Sequence, residues 1–191
     1  MPDPSQLPHA TDGTDFDTRG ALDPTPASPD GAPDPFPNTE VEPNFAPPQR
    51  AGEVGTFGRY RVLKKLGQGG MGAVYLGYDG TLERKVALKV MLPQYAANRG
   101  ARDRFLREAR SAAKVKSDHV VTIHDVGEER GVPFIAMEYL LGYPLDQYLR
   151  KKGELPLAQA LRVCRETAIG LAAAHALGLV HRDIKPANLW L

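Results

Sequence analysis

Twelve of the 17 prolines fall within the first 50 residues, and this concentration decides how much of the 191-residue chain can fold. Proline fixes φ and has no amide hydrogen to give a helix or sheet. The residues between are mostly Asp, Thr, Ser and Gly, with hardly an aliphatic pair. Such a segment cannot bury enough apolar surface to offset its ordering entropy, so residues 1–55 read as a disordered acidic tail. Phe16, Phe36 and Phe45 stand isolated in it and read as solvated linker residues rather than docking points. The charge divides at nearly the same place. Residues 1–53 hold ten Asp or Glu against two Arg, net −8, whereas residues 54–191 hold thirteen against twenty-two Lys or Arg, net +9. The folded domain is expected over residues 56–191.

The scattered Lys and Arg of that domain describe a solvated face, and nucleic acid is not implied. One cysteine, Cys164, excludes an internal disulfide and fits a reducing compartment; lying on an apolar helical stripe, it reads as core. Met1-Pro2-Asp3-Pro4 has neither the basic start nor the apolar run of a signal peptide. The most apolar stretch, Ala168 to Val180, is too short to span a bilayer and is broken by His175. A cytoplasmic chain without a membrane segment is the expectation.

From Phe57 the pattern changes. Tyr60 to Leu66 and Ala73 to Tyr78 are strand-like around a glycine cluster, Lys85 to Met91 is a third apolar run, and Pro93 ends it. Ala101 to Val115 has helical spacing, with Phe105, Leu106, Ala109, Ala112 and Ala113 on one side. Val120 to Val126 and Val132 to Tyr139 give two more strands, joined by a turn over Gly127 to Gly131. Five strands and one helix make an α+β unit. After Gly142 the chain turns helical, first over Leu145 to Lys151 and then over Pro156 to Leu177. Leu157, Leu161, Cys164, Ala168, Leu171 and Ala172 form a stripe on the second helix that requires a partner.

Two motifs carry chemistry. Gly67-Gln68-Gly69-Gly70-Met71-Gly72-Ala73-Val74 fits Gly-x-Gly-x-x-Gly-x-Val, in which missing side chains let backbone amides approach phosphates. A dinucleotide-binding turn would open a helix after the third glycine, but Val74 to Tyr78 alternates like a strand. A Walker loop is excluded because no Lys-Ser or Lys-Thr follows. The second motif is His181-Arg182-Asp183-Ile184-Lys185-Pro186-Ala187-Asn188, which matches His-Arg-Asp-x-x-x-x-Asn. There a carboxylate accepts the proton of a hydroxyl nucleophile while an amide oxygen five residues on faces a metal ion between phosphates. A turn must separate the two, and Pro186 helps fix it.

With these motifs in this order, residues 58–191 resemble a protein kinase domain, close to the bacterial group of eukaryotic-type serine/threonine kinases. The resemblance implies a kinase-like small lobe over about 58–140, a five-stranded antiparallel sheet plus one helix, and the first helices of the large lobe over about 141–191. It also implies ATP and Mg2+ as ligands and a protein substrate with a Ser or Thr hydroxyl. By the same resemblance Asp183 is the base, Lys185 steadies the γ-phosphate and Asn188 binds the metal. Gly67, Gly69 and Gly72 cover the phosphates, and Lys89, in Val86-Ala87-Leu88-Lys89, orients them in an ion pair with Glu108. Val74 and Ala87 cover the adenine, Met137 gates the pocket, and the backbone of Met137-Glu138-Tyr139-Leu140 forms the hinge. Trp190 stands where the family carries an aliphatic pocket floor, His181 is a packing residue, and Arg182 is the residue that meets a phosphorylated activation loop. The sequence stops at Leu191 without Asp-Phe-Gly, activation loop or Ala-Pro-Glu, so the resemblance implies a kinase domain cut after its catalytic loop. Two alternatives follow: a non-catalytic fragment that binds nucleotide or a partner, dimerising through its bare stripe, or a chain whose working part is the acidic tail.

Overall fold

The structure, a computed structural model, describes residues 43–191. Six strands form one antiparallel sheet: β1 (Gly55–Phe57), β2 (Tyr60–Gly69), β3 (Gly72–Asp79), β4 (Arg84–Met91), β5 (Ile123–Glu129) and β6 (Val132–Glu138), in the order β1-β2-β3-β4-β6-β5. The short helix α1 (Pro93–Ala96) and the longer α2 (Arg99–Ala112) lie between β4 and β5. α3 (Leu145–Lys152) and α4 (Leu157–His175) follow, and a 3-10 turn spans Pro186–Asn188. The expected five strands are all present, the one expected over Val120–Val126 lying three residues later at Ile123–Glu129, and β1 is an addition that periodicity could not reveal in three residues.

Alternation along the strands builds the core. Val86, Leu88 and Val90 of β4 are fully buried with Ala73 and Tyr75 of β3, Val62 of β2 and Ala136 of β6. Each large side chain in this set contributes roughly 1.5–3 kcal/mol on leaving water. The sheet curls on itself. Phe134 of β6 meets Phe57 of β1 and Tyr60 of β2 edge to face at 5.6 and 5.8 Å, although three strands separate β6 from β1. The turn between β5 and β6 is tighter than the expected five residues. Arg130 and Gly131 take φ of 50° and 77°, the doubly left-handed pair that matches strand twist in a two-residue hairpin.

α2 starts where the Asn98 side chain accepts the Ala101 amide at 3.0 Å, two residues ahead of the expected start, and it buries Leu106 and Ala109. α4 presses Gly170 against the 117–120 segment: a Cβ there would meet the His119 carbonyl oxygen at 2.8 Å. Its apolar stripe is bare, with Leu157 76% and Leu161 61% exposed. Cys164 is exposed on the same stripe, which corrects its reading as core. Among the described residues no helix is long and apolar enough to cross a membrane.

The tail reading is corrected over the residues that are described; Phe16, Phe36 and the rest of residues 1–42 lie outside them. Phe45 packs edge to face on Phe57 and Tyr75, at 5.7 and 4.9 Å, and Ala46 pairs with Thr56 in an antiparallel bridge. Low local hydrophobicity concealed a single aromatic that packs on two others.

Candidate active site

Strand register assembles one face of the sheet. Val74 of β3 pairs with Lys89 of β4, which pairs with Ile135 of β6; Ala87 pairs with Leu76 on one side and Met137 on the other. Directly opposed residues share a face, so Val74, Ala87, Lys89 and Met137 stand together, opposite the fully buried Val86, Leu88 and Val90. All four keep part of their surface open, the condition for receiving a ligand.

The glycines at the end of this face differ in kind. β2 and β3 meet in a two-residue turn, Gly70-Met71, with Gly69 paired to Gly72 and Gly67 to Val74. A Cβ at Gly67, Gly69 or Gly70 would meet nothing within 4 Å, and none of them has a positive φ. Neither packing nor conformation demands glycine there, which leaves the approach of a ligand to the backbone as the use of the bare surface. Gly72 is structural as well: a Cβ would sit 2.9 Å from the Val90 carbonyl oxygen.

The expected ion pair between Lys89 and Glu108 is not formed. The Lys89 ammonium lies 6.0 Å from the centroid of the Phe105 ring, and Glu108 is exposed. α2 is seated by Leu106 and Ala109, a rotation that presents Phe105 rather than Glu108 to the lysine.

At the far end of the face, the Glu138 amide donates to Thr122 O at 2.9 Å. The amide and carbonyl of Leu140, just beyond β6, have no hydrogen-bond partner among the described residues. The next residues hold the catalytic-loop motif. Leu191 N donates to Tyr143 O at 2.9 Å, Leu145 N to Leu189 O at 2.7 Å, and Trp190 Nε1 to Leu141 O at 2.9 Å. Gly142 makes this junction possible: its φ is +105°, and a Cβ would overlap the Leu191 carbonyl oxygen. Trp190 thus ties the loop to the segment leaving β6, a contact the sequence did not announce.

Within the loop, Asp183 gathers its neighbours. Its Oδ2 lies 3.0 Å from Lys185 Nζ and accepts from Asn188 Nδ2 at 3.1 Å, while its main-chain oxygen accepts from the same Nδ2 at 2.8 Å. The Asn188 nitrogen is thereby engaged, leaving its Oδ1 free to ligate a cation, and Asp183 Oδ1 stays open to a hydroxyl. Lys185, and after it Asn188, hold the Asp183 carboxyl below its ordinary range, so it is an ionised acceptor at neutral pH. Arg182 bends the chain with a φ of 63°, unusual for a non-glycine residue. His181 is exposed, and its Nδ1 accepts the Asp183 amide at 3.3 Å. That corrects the packing role expected of it: it brackets the loop by a hydrogen bond. Among the described residues no group of three or more His, Cys, Asp or Glu could hold a metal by itself.

Residues 60–191 match the protein kinase domain family model. The chain is 44% identical over 138 residues to the serine/threonine-protein kinase PknD of Mycobacterium tuberculosis, covering 72% of this chain and 21% of that protein. It is 41% identical over 132 residues to the serine/threonine-protein kinase PrkC of Bacillus subtilis, covering 69% and 20%. The crystal structure of the Mycobacterium tuberculosis PknI kinase domain aligns with a TM-score of 0.64 at 39% identity, covering 74% of this chain and 58% of that one. The chain spans about a fifth of the length of these two curated relatives.

Proposed function

The chain belongs to the protein kinase family, and from that premise we propose that residues 60–191 carry the nucleotide face and catalytic loop of an enzyme that moves the γ-phosphoryl group of ATP to a Ser or Thr hydroxyl of a protein. The observation that carries this reading is the junction at residues 141–145 and 189–191, which ties a loop bearing an ionised Asp183 to the segment that leaves β6 next to the unpaired backbone of Leu140.

Each residue then has a physical task. The bare Gly67, Gly69 and Gly70 let the hairpin amides approach the phosphates, and Lys89 offers them a cation on a partly dry face. Val74, Ala87 and Met137 supply the apolar surface for a purine ring, and the free amide and carbonyl of Leu140, with the carbonyl of Glu138, are the groups that read its edge. Asp183 Oδ1 orients the hydroxyl and takes its proton. Lys185, now on Asp183 Oδ2, turns toward the transferring phosphoryl, and Asn188 Oδ1 is the ligand this chain offers to magnesium. When bound, magnesium neutralises charge between the phosphates. Catalysis of this kind rests on positioning and charge. A site that consumes ATP belongs in the compartment that holds ATP, so we place it in the cytoplasm.

The separation of Lys89 from Glu108 favours a second reading for the 191-residue polypeptide taken alone, that it binds nucleotide without turning it over. Among the described residues Asn188 Oδ1 is the ligand offered to the metal, and a misplaced metal costs several kcal/mol of transition-state stabilisation, about a thousandfold or more in rate. Radiolabelled ATP with a generic basic protein distinguishes the two. Transfer that vanishes in Asp183→Asn supports the enzyme; nucleotide binding that is weakened in Lys89→Met, with no transfer, supports the binding fragment. Absence of nucleotide binding overturns both.

A further inference from the structure

Residues 43–57 lie ahead of the region that matches the kinase family, yet they grip the base of the glycine hairpin at both of its strands. On the β3 side, the Phe45 ring stands edge-on to Tyr75 at 4.9 Å. On the β2 side, the Glu53 carboxylate, 3% exposed, accepts from Arg61 Nε at 2.6 Å and from the amides of Gln49 and Arg50 at 3.2 and 3.1 Å. Arg61 in turn lies 5.1 Å from the centre of the Tyr78 ring, so one guanidinium links this segment to both strands. Ala46 and Thr56 exchange two backbone hydrogen bonds of 2.9 Å.

Gly55 shows that the sequence is built for this contact. A Cβ at that position would meet the Ala46 carbonyl oxygen at 2.5 Å and Phe45 Cβ at 2.9 Å, and its three nearest atoms all belong to Phe45 and Ala46. Its φ is not in the left-handed region, so the glycine answers to the close crossing of residues 45 and 46. Between Arg61 and the hairpin tip β2 breaks register twice, between Val62 and Lys64 and between Lys65 and Gly67, and Tyr75, opposite Lys65, holds the strand between the two breaks. Such irregularities bend a strand and aim what lies beyond them. What lies beyond them is Gly67 to Gly70, whose surroundings are empty.

We propose that residues 43–57 form a clasp that sets the position of the glycine hairpin over the phosphates of a bound nucleotide, with Phe45, Glu53 and Gly55 as positioning residues. This rests on the reading of that hairpin as the phosphate-covering element. It assigns the clasp its main effect on phosphate binding and a small one on the base, because of the purine contacts only Val74 lies on the hairpin, while Ala87, Met137 and Leu140 lie on β4, β6 and the segment after β6.

The test compares ATP–magnesium with adenosine, which lacks phosphates, by calorimetric titration of the 191-residue chain and its Phe45→Ala, Gly55→Ala and Glu53→Gln variants. The expected result is ATP bound about tenfold more weakly in each variant, a change of about 1.4 kcal/mol, with adenosine unchanged within about twofold. ATP affinity equal to wild type in all three variants overturns the clasp. If Phe45→Ala and Gly55→Ala lose both ligands together, those two have lost their fold and Glu53→Gln decides: weakened ATP with intact adenosine supports the clasp, and unchanged ATP overturns it. A wild-type chain that binds neither ligand overturns the nucleotide-site reading instead, which separates that failure from failure of the clasp.

Discussion

The sheet of residues 55–138 and the helices and loop of residues 145–191 hold their functional groups by different means. In the sheet, Val74, Ala87, Lys89 and Met137 are aligned by register over a closed apolar layer of Tyr60, Val62, Tyr75, Val86, Leu88 and Val90, each at most 1% exposed. In the second region Asp183, Lys185 and Asn188 are exposed, and they are aligned by hydrogen bonds within a short loop and by the backbone junction at 141–145. α4 is seated through Gly170 on the 117–120 segment, and Leu157 and Leu161 of its stripe face outward. A nucleotide face needs rigid spacing across three strands, which packing supplies. A base and a metal ligand five residues apart need only a local turn.

The largest break in this comparison comes from deleting methyl groups on each side. Leu88→Ala removes a fully buried side chain from the sheet and should cost about 2–5 kcal/mol, against about 0.5 kcal/mol or less for Leu161→Ala on the exposed stripe. Urea melts of the two variants, followed by circular dichroism, measure the difference; equal costs would mean that α4 is covered in solution.

Next in size is Gly142→Ala. A residue forced to a φ of +105° carries about 1–3 kcal/mol of strain, and here the new Cβ also overlaps the Leu191 carbonyl. The junction should open while the sheet stays folded. Trp190 is the only tryptophan, so its emission reports the break directly as a red shift with unchanged strand signal.

A smaller effect sharpens the comparison from the other side. Wild type is expected to self-associate with concentration through the exposed apolar stripe, and replacing Leu157 and Leu161 together by Glu should abolish this while leaving the melt nearly unaltered. Sedimentation velocity of both proteins measures this, and equal association would locate the contact elsewhere.

How much of this was legible in the sequence follows the same division. The five strands and three of the four helices were readable from two-residue and 3.6-residue periods, clearest in Arg84–Met91 with its inward Val86, Leu88 and Val90, whereas β1 and α1, of three and four residues, are too short to show one. The catalytic octet was readable because its chemistry is local. What could not be read depends on contacts far apart in the chain: Phe45 in its slot 30 residues from Tyr75, and Trp190 on Leu141. The Lys89–Glu108 pairing failed for a related reason, since sequence spacing does not fix the rotation of α2 about Leu106 and Ala109. The Arg59, Tyr60, Asp79 and Asp125 network was equally hidden. Tyr60 OH donates to Asp125 at 2.9 Å, and burial, followed by that bond, pushes the phenol up to about 12.

The smallest effect tests the loop alone. Asp183 is held below its ordinary value of 3.8 first by the Lys185 hydrogen bond and then by that of Asn188. A carboxylate depressed in the folded state contributes stability that is present above the unfolded value and is lost as pH falls through the folded one. Asp183 is fully exposed, so the global melt should not register this, and the readout has to be the group itself. Lys185→Met removes the first cause and should move the Asp183 titration upward toward 3.8, while Asn188→Ala removes the second and should move it less. Carbon-detected NMR of the Asp183 carboxyl between pH 2 and 6 follows both. The ordering matters for the comparison with the sheet: if Lys185→Met leaves the titration in place, the lysine does not sit on Asp183 in solution. The loop would then lack the local order that distinguishes it from the register-built face.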